Sequence, residues 1–324
     1  MSNIQSQISN IQSALQAAYP ADEANALAWW IAEELTGLSR TELQFGCKGT
    51  NFSSHMQEIE TIIGRLLHFE PIQYIFGHTL WNGLDLKVTP ATLIPRPETA
   101  ELVERINEKM VNDQINEQMV NDQMVNVLDV GTGSGCIAIS LKKAHPEWSV
   151  TGIDISPEAI EVARENAKRN GVEVDFYVAD ILSPSMGESE GASNLKSQIS
   201  NLKFQISNLK SQISNLKYDV VVSNPPYICE SEKVSMKPNV LDYEPSTALF
   251  VPDSDPLLFY RRIAELFFHT PYTIHRTPKY LFFEINEAYG PQLSAMLDSI
   301  GYTDIQIHKD IYGKNRIIEA RMAR

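Results

Sequence analysis

The run Asn224-Pro225-Pro226-Tyr227 concentrates groups that can hold a planar nitrogen. Two successive prolines fix φ and carry no N–H, so the carbonyls of such a loop form a stiff array of acceptors. The Asn224 side-chain oxygen and the Pro225 carbonyl are the acceptors expected to take the two hydrogens of an NH2 group. Pro226 completes the substrate-binding loop, and Tyr227 offers an aromatic face to a planar amide or to a sulfonium cation. A nitrogen held this way keeps its lone pair aimed at an electrophile, and catalysis rests on orientation rather than on a dedicated base. Taken alone, a tyrosine beside a proline turn is as readily a core residue, and proline-rich turns are common.

A second constellation says what the electrophile is. Val127-Leu128-Asp129-Val130 reads as a buried strand running into Gly131-Thr132-Gly133-Ser134-Gly135, after which Cys136 to Leu141 begins a helix. Glycines allow a ligand close to the backbone, and the helix N-terminus that follows presents free N–H groups to an anion. A dinucleotide loop wants G-x-G-x-x-G, but Cys136 stands where its last glycine belongs, so the pattern points away from NAD and towards S-adenosylmethionine, whose methionine carboxylate would be the anion. Asp154, ending the next strand, can accept both ribose hydroxyls. Asp180 can take the adenine amine while Ile181 covers the ring. A surface-turn carboxylate at Asp154 and a helix N-cap at Asp180 are the plain structural alternatives. Asn224 borders both the cofactor and the substrate.

These loops need strands to carry them. Short β-rich runs alternate with helical ones through the second half of the chain, the pattern of an α/β fold with a mostly parallel sheet covered by helices. Strands are expected at Val125 to Val130, Ser149 to Asp154, Val172 to Val178, Asp219 to Ser223, Tyr280 to Ile285, Asp304 to Lys309 and Arg316 to Ala320. Ser156 and Pro157 open a helix by capping rules, and Asn170-Gly171 closes it. Glycine loop, Asp154 and Asn224 then share the carboxyl edge of one sheet, where α/β folds bind ligands. Ahead of this, apolar residues recur at helical spacing from Ile11 to Phe69, as in Leu27, Trp30, Ile31 and Leu35 or Ile59, Ile62, Ile63 and Leu66. Asn82-Gly83 between Thr79-Leu80-Trp81 and Leu84 to Val88 predicts a hairpin. The expected organisation is a helical substrate-recognition domain over residues 1–73, a hairpin linker over 74–100 and a catalytic domain over 101–324.

Two repetitive stretches interrupt the rhythm, at about residues 109–126 and 187–217. In the second, Leu195, Ile199, Leu202, Ile206, Leu209, Ile213 and Leu216 follow heptad spacing, as do Ile4, Ile8, Ile11 and Leu15 at the N-terminus. A partner helix would suit such a seam. Serine and asparagine are poor helix formers, however, and so short a run favours a solvated helix or loop that projects from the fold.

Composition narrows the partners. The 27 basic and 41 acidic residues leave a net charge of −14, which opposes broad contact with a phosphate backbone. Cys47, Cys136 and Cys229 are far apart and lack ligand spacing, so neither disulfides nor zinc are expected. His269 and His275 have no nucleophile or ligand pattern beside them. The start of the chain carries no basic segment followed by an apolar run, and no stretch reaches the roughly 20 apolar residues of a membrane span. A cytoplasmic location follows as the expectation.

Together with these loops, Pro71 to Gly77 (PIQYIFG), Thr92 to Thr99 (TLIPRPET) and Tyr243 to Leu249 (YEPSTAL) make the chain resemble the release-factor glutamine methyltransferase family (PrmC, also called HemK) over nearly all of its length outside the repeats. The resemblance implies the seven-stranded class I methyltransferase sheet with an N-terminal helical domain. It also implies a substrate, the glutamine of the Gly-Gly-Gln loop in class I bacterial release factors, gripped by the helical domain. Cofactor positions carry over to Gly131 through Gly135, Asp154, Ile181 and Asn224, and substrate positions to Asn224 through Tyr227. At Ile181 some relatives carry an aromatic residue. The rival readings are a ribosomal-protein glutamine as substrate, an exocyclic amine of a DNA or RNA base, which would have to be flipped out, and a scaffold without catalysis. The acidic charge and the lack of a basic region near the loop weigh against nucleic acid. The intact glycine loop and Asn224 weigh against the scaffold.

Overall fold

The computed structural model describes residues 3–45, 52–116, 125–183, 218–268 and 280–322. The repeat at 187–217, Cys47, His269 and His275 lie outside the described residues. Two compact units emerge, Met1–Gly77 with Lys237–Tyr243, and His78–Met236 with Glu244–Arg324.

The first unit is helical: α1 (Asn3–Leu15), α2 (Ala21–Thr36), α3 (Arg40–Phe45), α4 (Met56–Leu67) and α5 (Ile72–Phe76). Its core contains Ile4, Ile8, Ile11 and Leu15 of α1, packed with Ile31 of α2 and Ile59, Ile62 and Leu66 of α4. The N-terminal heptad seam is therefore satisfied within the chain, and the helical region starts before Ile11, where the periodicity had placed it. Gly37 ends α2 in the left-handed region (φ 67°) and donates its N–H to the Glu33 carbonyl, a conformation that costs any residue with a Cβ. The Tyr19 hydroxyl ties the turn after α1 to the end of α4, donating 2.7 Å to the Leu66 carbonyl. The boundary expected at residue 73 falls inside α5, which runs to Phe76 before Gly77 (φ 76°) turns the chain.

The second unit begins with the hairpin β1 (His78–Trp81) and β2 (Leu84–Lys87), turned at Asn82-Gly83 as expected. The hairpin is not a free linker. The Lys87 N–H donates 2.7 Å to Asn166 Oδ1, Asn166 Nδ2 returns a bond to the Lys87 carbonyl, and Asn170 binds the Asp85 carbonyl. Then follow α6 (Pro97–Asn116), β3 (Asn126–Val130), α7 (Cys136–Ala144), β4 (Ser149–Asp154), α8 (Pro157–Arg169), β5 (Asp175–Val178), β6 (Val220–Ser223), β7 (Ile228–Cys229), the short helices α9 (Pro238–Leu241) and α10 (Ser246–Leu249), β8 (Phe250–Val251), α11 (Leu258–Phe268), β9 (Tyr280–Glu284), α12 (Gly290–Ile300), β10 (Tyr302–Lys309) and β11 (Asn315–Met322). Of these, α9 packs with the helical unit, where the Tyr243 hydroxyl after it donates 2.9 Å to the His68 carbonyl.

One seven-stranded sheet runs β10-β11-β9-β6-β3-β4-β5, with β9, β6, β3, β4 and β5 parallel and β11 antiparallel to both neighbours. Counting only its own strands along the chain, the order is third, second, first, fourth, fifth, seventh, sixth. This is the class I methyltransferase fold. Both faces are covered, which explains why the strands read as nearly unbroken apolar runs. Val127 of β3 faces the layer of Ile137, Ile139 and Ile160, while Leu128 and Val130 face that of Tyr260, Ile263 and Leu293. The third strand is shorter than Val172 to Val178, because the Val172 N–H is spent on the Ala167 carbonyl in closing α8 and pairing starts only at Asp175.

At the far edge, α6 is clamped to β11 by Glu319, which accepts 2.7 Å from Arg105 Nε and lies 3.2 Å from His308 Nε2. Burial works to raise the Glu319 carboxyl, but hydrogen bonds from His308 and Arg105 outweigh it and hold the group down at about 2 against an ordinary 4.5. A carboxylate whose folded value is depressed stabilises fully above its unfolded value and loses that contribution as pH falls towards the folded one. Glu319→Gln should therefore be less stable at neutral pH and lose less on acidification between pH 4.5 and 2. Urea midpoints against pH check this, and an unchanged acid slope in the variant would refute the clamp.

Candidate active site

The parallel pairing aligns four strand ends. Val130 lies opposite Ile153 on one side and Ser223 on the other, and Asp154 lies opposite Val178, so the loops after β3, β4, β5 and β6 leave from one edge. The glycine loop is pinned to that edge by the Gly131 and Thr132 N–H groups, both donating to the Ile153 carbonyl at 2.8 and 2.9 Å. Gly131, Gly133 and Gly135 all take positive φ (71°, 54° and 81°), a region that residues with a Cβ rarely adopt. A Cβ at Gly131 or Gly133 would meet nothing within 4 Å, so these two leave open the space a ligand needs, whereas one at Gly135 would approach Ile139, Ala163 and Phe176 at 3.0 to 3.2 Å.

Two carboxylates shape the loop. Asp129 is buried beneath it, with Oδ2 accepting 2.6 Å from the Thr132 hydroxyl and 3.3 Å from the Ala138 N–H, while Oδ1 has no partner among the described residues. Burial pushes its carboxyl up to about 7. Asp154 accepts 2.9 Å bonds from the Gly133 and Ser156 N–H groups. Burial raises it too, opposed by those backbone donors. Ser156 meanwhile caps α8 by accepting from the Ala159 N–H, so β4 ends at Asp154 and α8 begins three residues later.

After β5, Asp180 caps a turn and not a helix, its Oδ1 accepting 2.9 Å from the Leu182 N–H. Arg262 of α11 holds the same turn by donating to the Ile181 and Ser183 carbonyls. Ile181 is buried and lines the cavity beside Asp180 and Leu182.

After β6, the Ser223 hydroxyl donates 2.6 Å to the Val130 carbonyl, which ties the start of the Asn-Pro-Pro-Tyr loop to the start of the glycine loop. Asn224 Nδ2 donates 3.3 Å to Thr99 Oγ1, and the Thr99 hydroxyl donates 2.7 Å to Glu284 Oε2. Glu284 is buried, and desolvation raises its carboxyl against hydrogen bonds from Thr99 and Tyr227. Asn224, Pro225 and Pro226 line the cavity; Tyr227 is not among its lining residues. The Tyr227 ring packs against the layer of Tyr260, Ile263 and Phe283, with its hydroxyl 3.1 Å from Glu284 Oε1. Tyr227 is half-buried, with part of the residue packed against this layer and part still exposed.

The cavity so enclosed measures about 360 Å3, within the range of small-molecule sites. Gly131 to Ser134, Asp154, Asp180, Ile181 and Asn224 to Pro226 all line it. The lining fits S-adenosylmethionine: the N-terminus of α7 for a carboxylate, Asp154 for vicinal hydroxyls, and Ile155, Ile181 and Leu182 for a flat ring. Among the described residues no group of three His, Cys, Asp or Glu side chains is placed to hold a metal.

Four residues escaped the reading from spacing. Arg96 donates 2.6 Å to Glu244 Oε1, whose other oxygen takes the Ile94 N–H at 3.2 Å, drawing together two cavity-lining segments far apart in sequence. Both segments were visible as motifs, but nothing in either named its partner. Thr99 and Glu284 form the support behind Asn224. The available signal was Glu284 itself, a charge ending the apolar run Tyr280-Leu281-Phe282-Phe283.

Comparison with known proteins agrees with this geometry. Residues 8–77 match the PrmC N-terminal domain, and residues 121–192 match a methyltransferase domain. The chain is 40% identical, over 96% of its length and 97% of the relative's, to the release factor glutamine methyltransferase of Bacteroides thetaiotaomicron. It is 35% identical to the protein of the same name from Flavobacterium psychrophilum, over 94% of each chain. To that from Streptococcus pneumoniae it is 37% identical, over 75% of this chain and 73% of the relative.

The loop's tight fit against β4 can be tested without any ligand. A Cβ at Gly152 would lie 2.6 Å from the Phe176 ring and 2.8 Å from Thr132 Oγ1. Gly152→Ala should cost about 1–3 kcal/mol of stability, the usual penalty of overpacking. Urea denaturation reads this, and an equally stable variant would mean that the loop and ring give way freely.

Proposed function

The chain belongs to the release factor glutamine methyltransferase family, and on that premise we propose that it transfers a methyl group from S-adenosylmethionine to the side-chain amide nitrogen of the glutamine in the Gly-Gly-Gln motif of class I peptide chain release factors. The observation that carries the reading is that the glycine loop and Asn224-Pro225-Pro226 line one cavity together with Asp154 and Ile181.

When bound, S-adenosylmethionine supplies a methyl group on a sulfonium centre. The chain's own residues do the rest. Gly131 to Gly135 let the carboxylate end approach the backbone at the N-terminus of α7, Asp154 accepts from the ribose hydroxyls, Asp180 takes the adenine amine, and Ile181 covers the ring. Asn224 Oδ1 and the Pro225 carbonyl accept from the two hydrogens of the glutamine amide. Its lone pair is ordinarily delocalised into the carbonyl, and two acceptors fixed on a proline-stiffened loop return density to nitrogen and set its direction. The pairing is specific to NH2, because a hydroxyl has only one hydrogen for two acceptors.

The helical unit supplies the contact with the body of the factor, and the net charge of −14 suits a basic protein surface better than a nucleic acid. Among the described residues no helix is long and apolar enough to cross a membrane. The reading places the enzyme in the cytoplasm, where its substrate is made.

Incubating the chain and S-adenosylmethionine with unmodified release factor, RNA and DNA in separate reactions should put a methyl group on the Gly-Gly-Gln glutamine alone, as mapped by mass spectrometry. Methyl on nucleic acid and none on glutamine would sink the reading. Asp154→Ala should weaken cofactor binding by roughly tenfold or more, the loss of a charged hydrogen bond. Asn224→Ala should abolish turnover while cofactor affinity stays within about tenfold. Full turnover in the Asn224 variant would remove the acceptor role.

A further inference from the structure

An asparagine side chain is nearly symmetric in shape, so packing alone does not decide whether its oxygen or its nitrogen faces a cavity; the hydrogen-bond partners decide. For Asn224 the outcome matters, since only the oxygen can accept from a substrate amide. The same side chain turned over would present two donors to two donors.

The register of the sheet brings the deciding groups together. Ser223 pairs with Phe283, so the next residues, Asn224 and Glu284, leave β6 and β9 side by side. Glu284 receives two hydroxyls, Thr99 at 2.7 Å on Oε2 and Tyr227 at 3.1 Å on Oε1. An ionised carboxylate only accepts, so both hydroxyl protons must point at it. Thr99 has one such proton. With that proton committed to Glu284, its oxygen can offer only lone pairs to Asn224, and the atom that faces it at 3.3 Å must be the donor Nδ2. Oδ1, splayed from Nδ2 by the planar amide, is left for the cavity that Asn224 lines.

We propose that Thr99 and Glu284 are positioning residues that set the orientation of the Asn224 amide, Glu284 consuming the Thr99 proton so that Asn224 must present its oxygen to the substrate. The inference rests on the acceptor role of Asn224 given above. Neither residue exchanges a proton with substrate. Thr99 is 2% exposed and Glu284 1%, and each acts through the next group in the chain.

A purely structural role makes the opposite prediction for one pair of variants. Thr99→Val keeps the volume and loses the hydroxyl; Thr99→Ser keeps the hydroxyl and loses a methyl group. The relay requires Ser to retain most of the wild-type kcat and Val to fall by about a hundredfold, the scale of a misplaced reacting group. In both variants the cofactor Kd and the KM for release factor should stay near the wild-type values. Packing alone would rank Val above Ser. Glu284→Leu removes both acceptors and leaves the Thr99 proton without its carboxylate, so it should lower kcat likewise. Combining it with Thr99→Val should add little, because both break the same chain.

The measurement is single-turnover methyl transfer to the release-factor glutamine, with cofactor binding followed separately by calorimetry. If the unaltered chain transfers no methyl to that glutamine, the proposed reaction falls and the relay with it. If the unaltered chain is active and Thr99→Val matches Thr99→Ser, the relay alone falls. Should Thr99→Val be poorly folded, the Glu284→Leu variant decides: wild-type kcat there overturns the proposal.

Discussion

The site depends first on the parallel register of β3 with its two neighbours. Because Val130 stands level with Ile153 and Ser223, the ladders on both sides of β3 end at the same height and the three chain segments turn beside one another. The Ser223 hydroxyl on the Val130 carbonyl and the Gly131 and Thr132 N–H groups on the Ile153 carbonyl fasten these turns to one another. A one-residue slip of β6 would reverse which faces its side chains occupy and carry Asn224 away from the glycine loop. The apolar layers on both sides of the sheet make such a slip costly, so the core that stabilises the fold also holds the chemistry in place.

From that edge the polar groups are arranged by need. Asp154 in the folded chain already accepts from the Gly133 and Ser156 N–H groups, so its carboxylate is oriented before a ribose arrives. Asn224 is likewise held by Thr99 and Glu284, and the Asn-Pro-Pro-Tyr loop is backed by a tyrosine that is itself tied to Glu284. Preorganised acceptors of this kind lose little on reaction, which suits a transfer whose barrier lies in aligning a weak nucleophile rather than in moving a proton early.

What could be read from sequence follows the range of the interactions involved. Local signals were legible: the glycine turn after an apolar strand, the Ser156-Pro157 start of α8, the Asn-Gly hairpin and the alternation that implies a parallel sheet. The carboxyl-edge placement of Gly131, Asp154, Asp180 and Asn224 followed from those elements alone. The seam of Ile4, Ile8, Ile11 and Leu15 was legible as a helix face but silent on its partner, which proved to be the chain's own α2 and α4. Pairings that join distant segments had no local trace, as with Arg96 and Glu244 or Thr99 and Glu284. Tyr227 shows the same limit: its place in the motif suggested a ring over the substrate but gave no sign of its packing beside Tyr260 and Phe283 or of its bond to Glu284. Motif membership identified the loop, and packing assigned the side chains within it.

A crystal structure of the chain with S-adenosylhomocysteine and a peptide containing Gly-Gly-Gln would test the central claim most directly. The account predicts the glutamine side-chain nitrogen within about 3 Å of both Asn224 Oδ1 and the Pro225 carbonyl. Its free face should be turned to the sulfur, and Asn224 Nδ2 should still rest on Thr99. A glutamine seated with its oxygen towards Asn224, or lying outside this cavity, would contradict it.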